Sequence, residues 1–466
     1  MGGAGPSDEA KPAAQGKRTT AAVAHFAAGP DAWTNTRIRP AHRVAWPRGG
    51  WANLDLLAEL RHGRFFRVAR RKPGRIACTR WLGRDRSTIR DPGKGRPEPL
   101  TCTPKAASLQ FRPPEGERYP AFKRHIPERL FYVVPALMWL ALAIRYRSLT
   151  LPSAANPAME AGGLWGESKS QGLDLFGPQG RARLARFARL RCDTGADTPV
   201  DCALAAMAEA GLDFPVVAKP DRGYQGWGVR LIQRAEDLAD YLAVQPPGTM
   251  ILLQELVDLP GEAGIFYLRH PDQVRGRIVS MAFVYPPHVI GDGCRSVAEL
   301  VRADKVLRPN GAIYRDRHPE SWETVPGPGA FHVLTNARSA RLGAVYRDAQ
   351  SLVTPQLEAL IDEISREIPD FHFGRFDIRF RSVEDLGAAS DFRILELNGA
   401  GAEMLHFWAG GSTLRQAYRA LWRQYRWLFA IGDVMRKRGA RPVGLSGMIR
   451  LQRQQEALRR VYPQSS

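Results

Sequence analysis

The sequence predicts an α+β fold, in which pairs of neighbouring strands alternate with helical crossovers. Segments rich in β-branched and aromatic residues predict seven strands, over 214–219, 228–232, 250–257, 264–268, 277–285, 373–380 and 392–397. Segments with helical periodicity predict four helices, over 236–244, 296–302, 355–368 and 414–435. Thr354 is the expected cap of the third helix, with Pro355 in its first turn. Short turns separate some of the strands and helices separate others. This mixture favours α+β over a doubly wound parallel sheet.

Charge and composition divide the 466 residues into four parts. Residues 1–129 contain 26 Lys and Arg but only 11 Asp and Glu, so most of the net charge of +20 lies there. We predict a basic extension over 1–115, for which contact with nucleic acid or an anionic membrane is an alternative that we do not favour. A smaller α/β lobe is expected over 116–205, a main domain over 206–435 and a C-terminal helical tail over 436–466.

One apolar run, residues 130–144 (LFYVVPALMWLALAI), requires a choice between core and membrane. It is shorter than the roughly 20 residues of a spanning helix, and Pro135 lies inside it. We therefore predict a buried helix, with membrane contact as the alternative because arginines flank the run. An odd number of cysteines without a CxxC pair, and no apolar signal segment, favour a cytoplasmic location.

The stretch VVAKPDRGYQGWGVRLI, residues 216–232, has the pattern of a phosphate-binding flap. Lys219 ends one predicted strand, and Gly223, Gly226 and Gly228 lie in the turn before the next. Glycines expose backbone N–H groups and let a loop fold over a polyphosphate. The P-loop and dinucleotide-binding patterns are both absent. Taken alone, a plain surface hairpin explains the stretch equally well.

The following strand ends in polar residues suited to a nucleoside. Gln254, Glu255 and the backbone of Val257 could contact an adenine edge, and the Glu262 carboxylate could bind ribose hydroxyls. Solvated charges at a strand end are the alternative interpretation.

Two segments, FGRFDIRF at 373–380 and FRILELNGAGAE at 392–403, predict a metal face. Side chains alternate along a strand, so Arg375 and Asp377 share one face, as do Glu396 and Asn398. If the strands pair, Asp377, Glu396 and Asn398 present oxygen ligands of the kind that Mg²⁺ prefers. A solvated sheet face laced with salt bridges is the alternative, but it leaves Asn398 and the glycines after it without a role.

The order of these motifs resembles the ATP-grasp superfamily over roughly residues 165–410. The stretch 286–301 (PPHVIGDGCRSVAELV) is similar to a loop of cyanophycin synthetase and of bifunctional glutathione-synthesis ligases, and the metal motif is similar to that of D-alanine–D-alanine ligase. The resemblance implies an ATP-grasp fold, in which two α/β subdomains hold ATP and a lid spans about 206–262. It also implies chemistry in which ATP converts a carboxylate into an acyl phosphate that an amine attacks.

The resemblance also implies roles for individual residues. Lys219 and an upstream lysine, for which Lys169 is the candidate, would contact phosphates, and Arg375 would face the acyl phosphate. The lid glycines, Gln254, Glu255, Val257 and Glu262 would bind the nucleotide, and Asp377, Glu396 and Asn398 would bind Mg²⁺, as two ions. Gln254 stands where many relatives have Glu, and residues 399–401 depart from the N-x-x-P-G of the dipeptide ligases. The acceptor substrate is therefore left open.

We accordingly expect an ADP-forming ligase whose partners are a small carboxylate and an amine. Two alternatives stay open at this point: an ATP-grasp kinase that phosphorylates a small molecule, and a non-catalytic nucleotide- or RNA-binding protein. Oligomeric state is also left open.

Overall fold

The computed structural model describes residues 111–113, 115–192, 199–223 and 226–462, with only the backbone described at residue 459. These residues belong to one compact unit, Pro97–Ser466. Almost all of the predicted basic extension lies outside the described residues, and so do the contacts considered for it.

Antiparallel sheets form the framework. In chain order the strands are β1 (Phe187–Arg191), β2 (Val216–Pro220), β3 (Arg230–Ile232), β4 (Met250–Glu255), β5 (Gly261–Leu268), β6 (Arg277–Tyr285), β7 (His288–Ile290), β8 (Phe331–Val333), β9 (Val345–Asp348), β10 (Phe373–Phe380) and β11 (Phe392–Asn398). They form a four-stranded sheet β1-β4-β2-β3, a five-stranded sheet β11-β10-β5-β6-β9 and a small pair β7-β8, all paired antiparallel. All seven predicted strands are present, and the α+β prediction is confirmed.

Helices cover and connect these sheets. In chain order they are α1 (Ala121–His125), α2 (Glu128–Phe131), α3 (Val133–Tyr146), α4 (Lys169–Asp174), α5 (Pro178–Arg181), α6 (Pro199–Glu209), α7 (Ala235–Ala243), α8 (Val297–Ala303), α9 (Gly311–Arg317), α10 (Pro355–Glu367), α11 (Val383–Gly387), α12 (Leu414–Lys437) and α13 (Leu445–Val461). The four predicted helices correspond to α7, α8, α10 and α12. Helix α10 begins as expected at Thr354, whose hydroxyl accepts a hydrogen bond from Leu357 N at 3.1 Å.

The four-stranded sheet, with α6 and α7, forms a unit with its own core. Buried residues of the sheet pack against Ala203 and Met207 of α6 and against Leu238 of α7. Strand β1 belongs to this sheet because it pairs with β4. The lobe boundary predicted at residue 205 therefore falls inside this unit, because short strands such as β1 carry little periodic signal.

Strand β10 of the five-stranded sheet buries one face in the main core and, from Arg375 onwards, carries polar residues on the other. Along β10, Phe376, Ile378 and Phe380 are buried in the main core, whereas Arg375, Asp377 and Arg379 alternate with them and are half-buried. This is the alternation that the sequence predicts for a strand with one face on the core. The polar face of β10 is therefore free to line a site.

The prediction of a buried helix over 130–144 is wrong. One side of α2 and α3 packs inward through Phe131, Leu142 and Ala143, but Leu137 and Ile144 are 60% and 70% exposed. By length and composition, Glu128–Tyr146 is the one described segment that could cross a membrane, and only 22% of it is buried. The composition of this segment shows that the helix is apolar on all sides. It does not show which of those sides pack against the rest of the protein.

Two glycine-rich segments approach each other backbone to backbone. Ala400 N donates to Gly162 O at 3.0 Å, and Gly401 N donates to Gly163 O at 2.7 Å. A Cβ at Gly163 would lie 2.6 Å from the Cα of Gly399, and the φ of Gly163 is +71°. Only glycine combines this left-handed conformation with so close an approach. The contact ties the loop after β11 to the segment before α4.

Replacing Gly163 by Ala should destabilise the protein by about 2–4 kcal/mol, because overpacking adds to backbone strain. Gly411→Ala is a matched control, since Gly411 also has a positive φ (+79°) but its Cβ would meet nothing within 4 Å. The control should lose only about 1 kcal/mol. Urea unfolding measures both values, and equal losses would contradict the role of the close approach.

Candidate functional site

A cavity of about 550 Å³ is lined by residues of both larger sheets. It contains all but one of the site residues predicted from the sequence: Lys169, Lys219, Gly223, Gly226, Gln254, Glu255, Val257, Glu262, Arg375, Asp377, Glu396 and Asn398. The exception is Gly228, whose carbonyl oxygen accepts a hydrogen bond from Tyr241 of α7 at 2.9 Å. Residues far apart in sequence thus meet in one place.

Strand register brings the acidic face together. In the β10–β11 pair, Arg375 lies opposite Asn398 and Asp377 lies opposite Glu396, before a bulge that follows Asp377. Directly opposed residues of antiparallel strands share a face. The convergence of Asp377, Glu396 and Asn398 expected from alternation is therefore present.

Arg375 and Asp377 form a two-point ion pair. Arg375 Nε and Nη2 donate to the two carboxylate oxygens of Asp377 at 2.6 and 2.9 Å, and Asn398 Nδ2 also donates to Asp377. Burial opposes the charge of the guanidinium, but Asp377 outweighs burial and raises the pKa of Arg375. The pairing holds Arg375 charged and oriented at the cavity wall.

Lys169 pairs with the second acidic residue of the face. The residue lies in the first turn of α4, after the cap Ser168, and its Nζ lies 3.1 Å from Glu396 Oε1. Burial opposes its charge, but Glu396 outweighs burial and raises the pKa of Lys169. Lys169 Nζ also donates to Gly223 O at 2.6 Å. Lys169, which was chosen from the sequence without a spacing argument, therefore links the acidic face to the turn between β2 and β3, called the lid turn below.

Lys219 lies in the same cavity and is held by an uncharged partner. Its Nζ donates to Gln254 Oε1 at 2.9 Å, and Gln254 Nε2 donates to Leu395 O at 3.1 Å. Burial lowers the pKa of Lys219 to about 8, against the opposing charge of Glu396. Gln254 therefore positions the lysine as well as lining the cavity.

The two glutamates expected near a nucleoside are already paired with arginines. Glu255 Oε2 accepts from Arg186 Nε at 2.7 Å. Glu262 Oε2 lies 2.9 Å from Arg379 Nε and 3.4 Å from Arg338 Nε. Both arginines at Glu262 approach the same oxygen, Oε2.

The structure adds cavity residues that the sequence did not reveal. Burial raises the pKa of Glu167 to about 8, with a contribution from Glu396, and burial lowers the pKa of Arg338 to about 9. Glu403 lines the cavity beside Arg375, and burial also raises its pKa. Glu167 lies two residues before Lys169, and Glu403, which was assigned no role from the sequence, is the last residue of the segment 392–403. For Glu167 and Glu403, nearness in sequence to the predicted motifs was the signal that could have revealed them. No such signal marks Arg338.

The lid turn carries Trp227 at the cavity wall. The guanidinium carbon of Arg341 lies 4.1 Å from the centroid of the Trp227 ring, a cation–π geometry. The loop that contains Arg338 and Ser339 also lines the cavity, so the lid turn and this loop face each other.

Whether the acidic face suits Mg²⁺ can be judged from its donors. Among the described residues, no group of three or more His, Cys, Asp or Glu side chains is arranged to hold a metal ion. Two carboxylates and one amide do converge, which suits a cation that keeps waters and uses substrate phosphates as ligands. The two carboxylates have cationic partners from the chain, Arg375 and Lys169. The donor set therefore fits Mg²⁺ that arrives together with phosphates.

No protein-family model matches the chain, and the search of curated proteins finds no match. Among solved structures, a bifunctional glutathione synthetase from Pasteurella multocida is similar at 16% identity and a TM-score of 0.32, over 54% of this chain and 35% of that one. This chain thus spans about a third of that protein. VanG D-Ala:D-Ser ligase from Enterococcus faecalis is similar at 12% identity and a TM-score of 0.32, over 58% and 62% of the two chains. The D-cycloserine synthetase DcsG is similar at 15% identity and a TM-score of 0.31, over 58% and 71%.

Proposed function

We propose that this protein is an ATP-dependent ligase of the ATP-grasp type that joins a carboxylate to an amine and releases ADP and phosphate. The observation that carries the proposal is the single cavity in which Lys169, Lys219 and Arg375 surround the opposed carboxylates of Asp377 and Glu396. The sequence resemblance supports it, because the same residues carry the ATP-grasp motifs in the expected order.

The nucleotide would lie between the two larger sheets. Gln254, Glu255 and the backbone of Val257 would contact the base, and the Glu262 carboxylate would accept from a ribose hydroxyl. Lys219 and Lys169 would contact phosphates, and the turn with Gly223 and Gly226 would close over them. Closure of such a turn excludes water, which protects an acyl phosphate from hydrolysis.

Asp377, Glu396 and Asn398 would hold Mg²⁺, as one or two ions. The metal would supply charge neutralisation at the phosphates. Without ligands, Lys169 and Arg375 neutralise these carboxylates, so the buried site carries its own counter-charges. Nucleotide binding would redirect Lys169 from Glu396 towards a phosphate.

The reaction would proceed in two displacements. A carboxylate oxygen attacks the γ-phosphorus of ATP, the bond to the bridging oxygen breaks and ADP leaves. The neutral amine nitrogen then attacks the acyl carbon, the bond from that carbon to the phosphate oxygen breaks, and the proton lost by the nitrogen leaves with the phosphate. Arg375, held by Asp377, would stabilise the negative charge that develops on the acyl oxygen.

We expect substrate-dependent release of ADP and phosphate when the protein is mixed with Mg-ATP and pools of carboxylic acids and amino acids. Asp377→Asn and Glu396→Gln should each lower turnover about a hundredfold or more while leaving the protein folded. Asp391→Asn is the matched control, because Asp391 pairs with Arg381 at the exposed end of the same strands. It should leave turnover unchanged.

The products decide between this function and its alternatives. AMP as the product, or wild-type rates in both site variants, would contradict the ligase. Phosphate retained on an organic product would identify the kinase alternative instead. Absence of any turnover together with salt-dependent RNA binding would favour the non-catalytic alternative.

ATP affinity should fall as pH rises through about 8. Because burial lowers the pKa of Lys219 to about 8, its side chain carries a positive charge below that pH and loses the charge above it. Lys219→Gln should bind ATP about ten- to a hundredfold more weakly at pH 7, and its affinity should lack this step. Calorimetric titration between pH 6.5 and 9 measures both. A step of equal size in the variant would mean that another group titrates.

A further inference from the structure

A second polar subsite lies in the cavity wall at Glu403. Tyr132 Oη donates to Oε1 at 2.8 Å, and Trp408 Nε1 donates to Oε2 at 3.1 Å. Both donors are uncharged, and within the described part of the chain no Lys, Arg or His forms an ion pair with this carboxylate. Arg375 Nη1 donates instead to the backbone oxygen of Glu403, at 3.1 Å.

The position of Glu403 relative to Arg375 indicates what it could bind. One edge of the Arg375 guanidinium holds Asp377, and its remaining nitrogen reaches the backbone of Glu403. Lys169, Lys219 and Arg375 make one part of the cavity suited to anions. Glu403 forms no ion pair with a described side chain, although the charge of Arg375 acts on it, and two aromatic side chains that also line the cavity orient it. Carboxylates removed from water are normally paired with cations. Cations are also attracted to the faces of aromatic rings.

We propose that Glu403, with Tyr132 and Trp408, binds the ammonium group of the amine substrate. This assignment rests on the proposed ligase function and specifies its acceptor as an amine that binds in its protonated form and passes one proton to the Glu403 carboxylate before its nitrogen attacks. The bound ammonium lies next to Arg375, the residue proposed to face the acyl group. Both substrates then meet at the same guanidinium.

The test is ligand binding by the full-length protein without turnover. Free amino acids and simple alkylamines, each paired with its N-acetylated form, are screened by saturation-transfer NMR and titrated by calorimetry. Free amines should bind the wild type, whereas the N-acetylated forms should not. Glu403→Gln should weaken amine binding at least tenfold, and Tyr132→Phe should weaken it less. Glu384→Gln is the matched control, because Glu384 is an exposed acid on α11 that does not line the cavity.

Equal amine binding by the wild type and Glu403→Gln, equal binding of N-acetylated compounds, or no binding of any amine would overturn the assignment. If Glu403→Gln does not fold, two other results test the assignment: the preference of the wild type for free over N-acetylated amines, and the loss of amine affinity in Tyr132→Phe. Amine binding through Glu403 without ADP release from any carboxylate would contradict the ligase function and leave the ammonium site standing.

A separate observation concerns the outward side of α2 and α3. Leu130, Val133, Leu137, Leu140 and Ile144 are between 48% and 70% exposed and follow each other at spacings of three and four residues. This spacing puts them on one side of a helix. We call these five residues the outer stripe. No charged residue interrupts the sequence between Leu130 and Ile144.

The charges around the outer stripe identify its partner. Exposed charged residues flank it at both ends, Arg124, Glu128 and Arg129 before it and Arg145 and Arg147 after it, so both ends carry a net positive charge. Two copies of the chain paired through the stripe would bring arginines against arginines in either orientation. An anionic lipid surface instead offers negative headgroups to the arginines and an apolar layer to the stripe. The inner side stays packed through Phe131 and Leu142, so the segment would lie on the membrane rather than cross it.

We infer that the outer stripe docks this protein on anionic membranes. Flotation with phosphatidylcholine vesicles, with and without 30% phosphatidylglycerol, tests this on the full-length chain. Wild type should bind only the anionic vesicles, and less at high salt. Leu137→Glu combined with Leu140→Glu should lose at least tenfold in affinity with an unchanged Tm. Val274→Glu, at a residue that is 79% exposed elsewhere, should bind as wild type does.

Binding that persists in the double variant, or equal binding to neutral vesicles, would overturn the inference. Light scattering covers the remaining case. A dimer that the double variant converts to a monomer, without vesicle binding by either, would make the stripe an interface between copies and would also overturn it.

Discussion

The antiparallel register of β10 with β11 is the constraint on which the candidate site depends. It puts Asp377 opposite Glu396 and Arg375 opposite Asn398, so two carboxylates share one half-buried face. Such a face is electrostatically unfavourable unless cations accompany it. Arg375 supplies one from the neighbouring position of the same strand, and Lys169 supplies the other from the start of α4. The rest of the cavity is arranged around these two pairs.

Lys169 shows how the two sides of the cavity are coupled. It contacts Glu396 of the five-stranded sheet and the backbone of Gly223 in the lid turn, whose strands belong to the other sheet. Gln254 couples the sheets in a similar way, since it holds Lys219 and also donates to Leu395 of β11. Under the proposed function, a phosphate that draws Lys169 away from Glu396 would also strain its hydrogen bond to Gly223 in the turn between β2 and β3.

Sequence reasoning succeeded where local rules decide the outcome. Alternation along 373–380 and 392–397 gave strands with one polar face, and Thr354-Pro355 gave the start of α10. It failed where the outcome depends on what a segment packs against. The apolar run at 130–144 is helical as expected, but only one of its sides has a protein partner. Arg338 and Glu403 were missed because loops carry them into the cavity, and a loop sequence contains no periodicity that reveals its path.

The sequence by itself determined the strands, their polar faces and the residue types available for phosphate, metal and acyl-group contacts. These features follow from the chemistry of neighbouring residues. The tertiary structure alone decided that Lys169 pairs with Glu396, that arginines already hold Glu255 and Glu262, and that Tyr132 donates a hydrogen bond to Glu403. These contacts join residues up to 271 positions apart in the chain. Which of them meet depends on sheet order and packing, properties of the whole fold that no short segment contains.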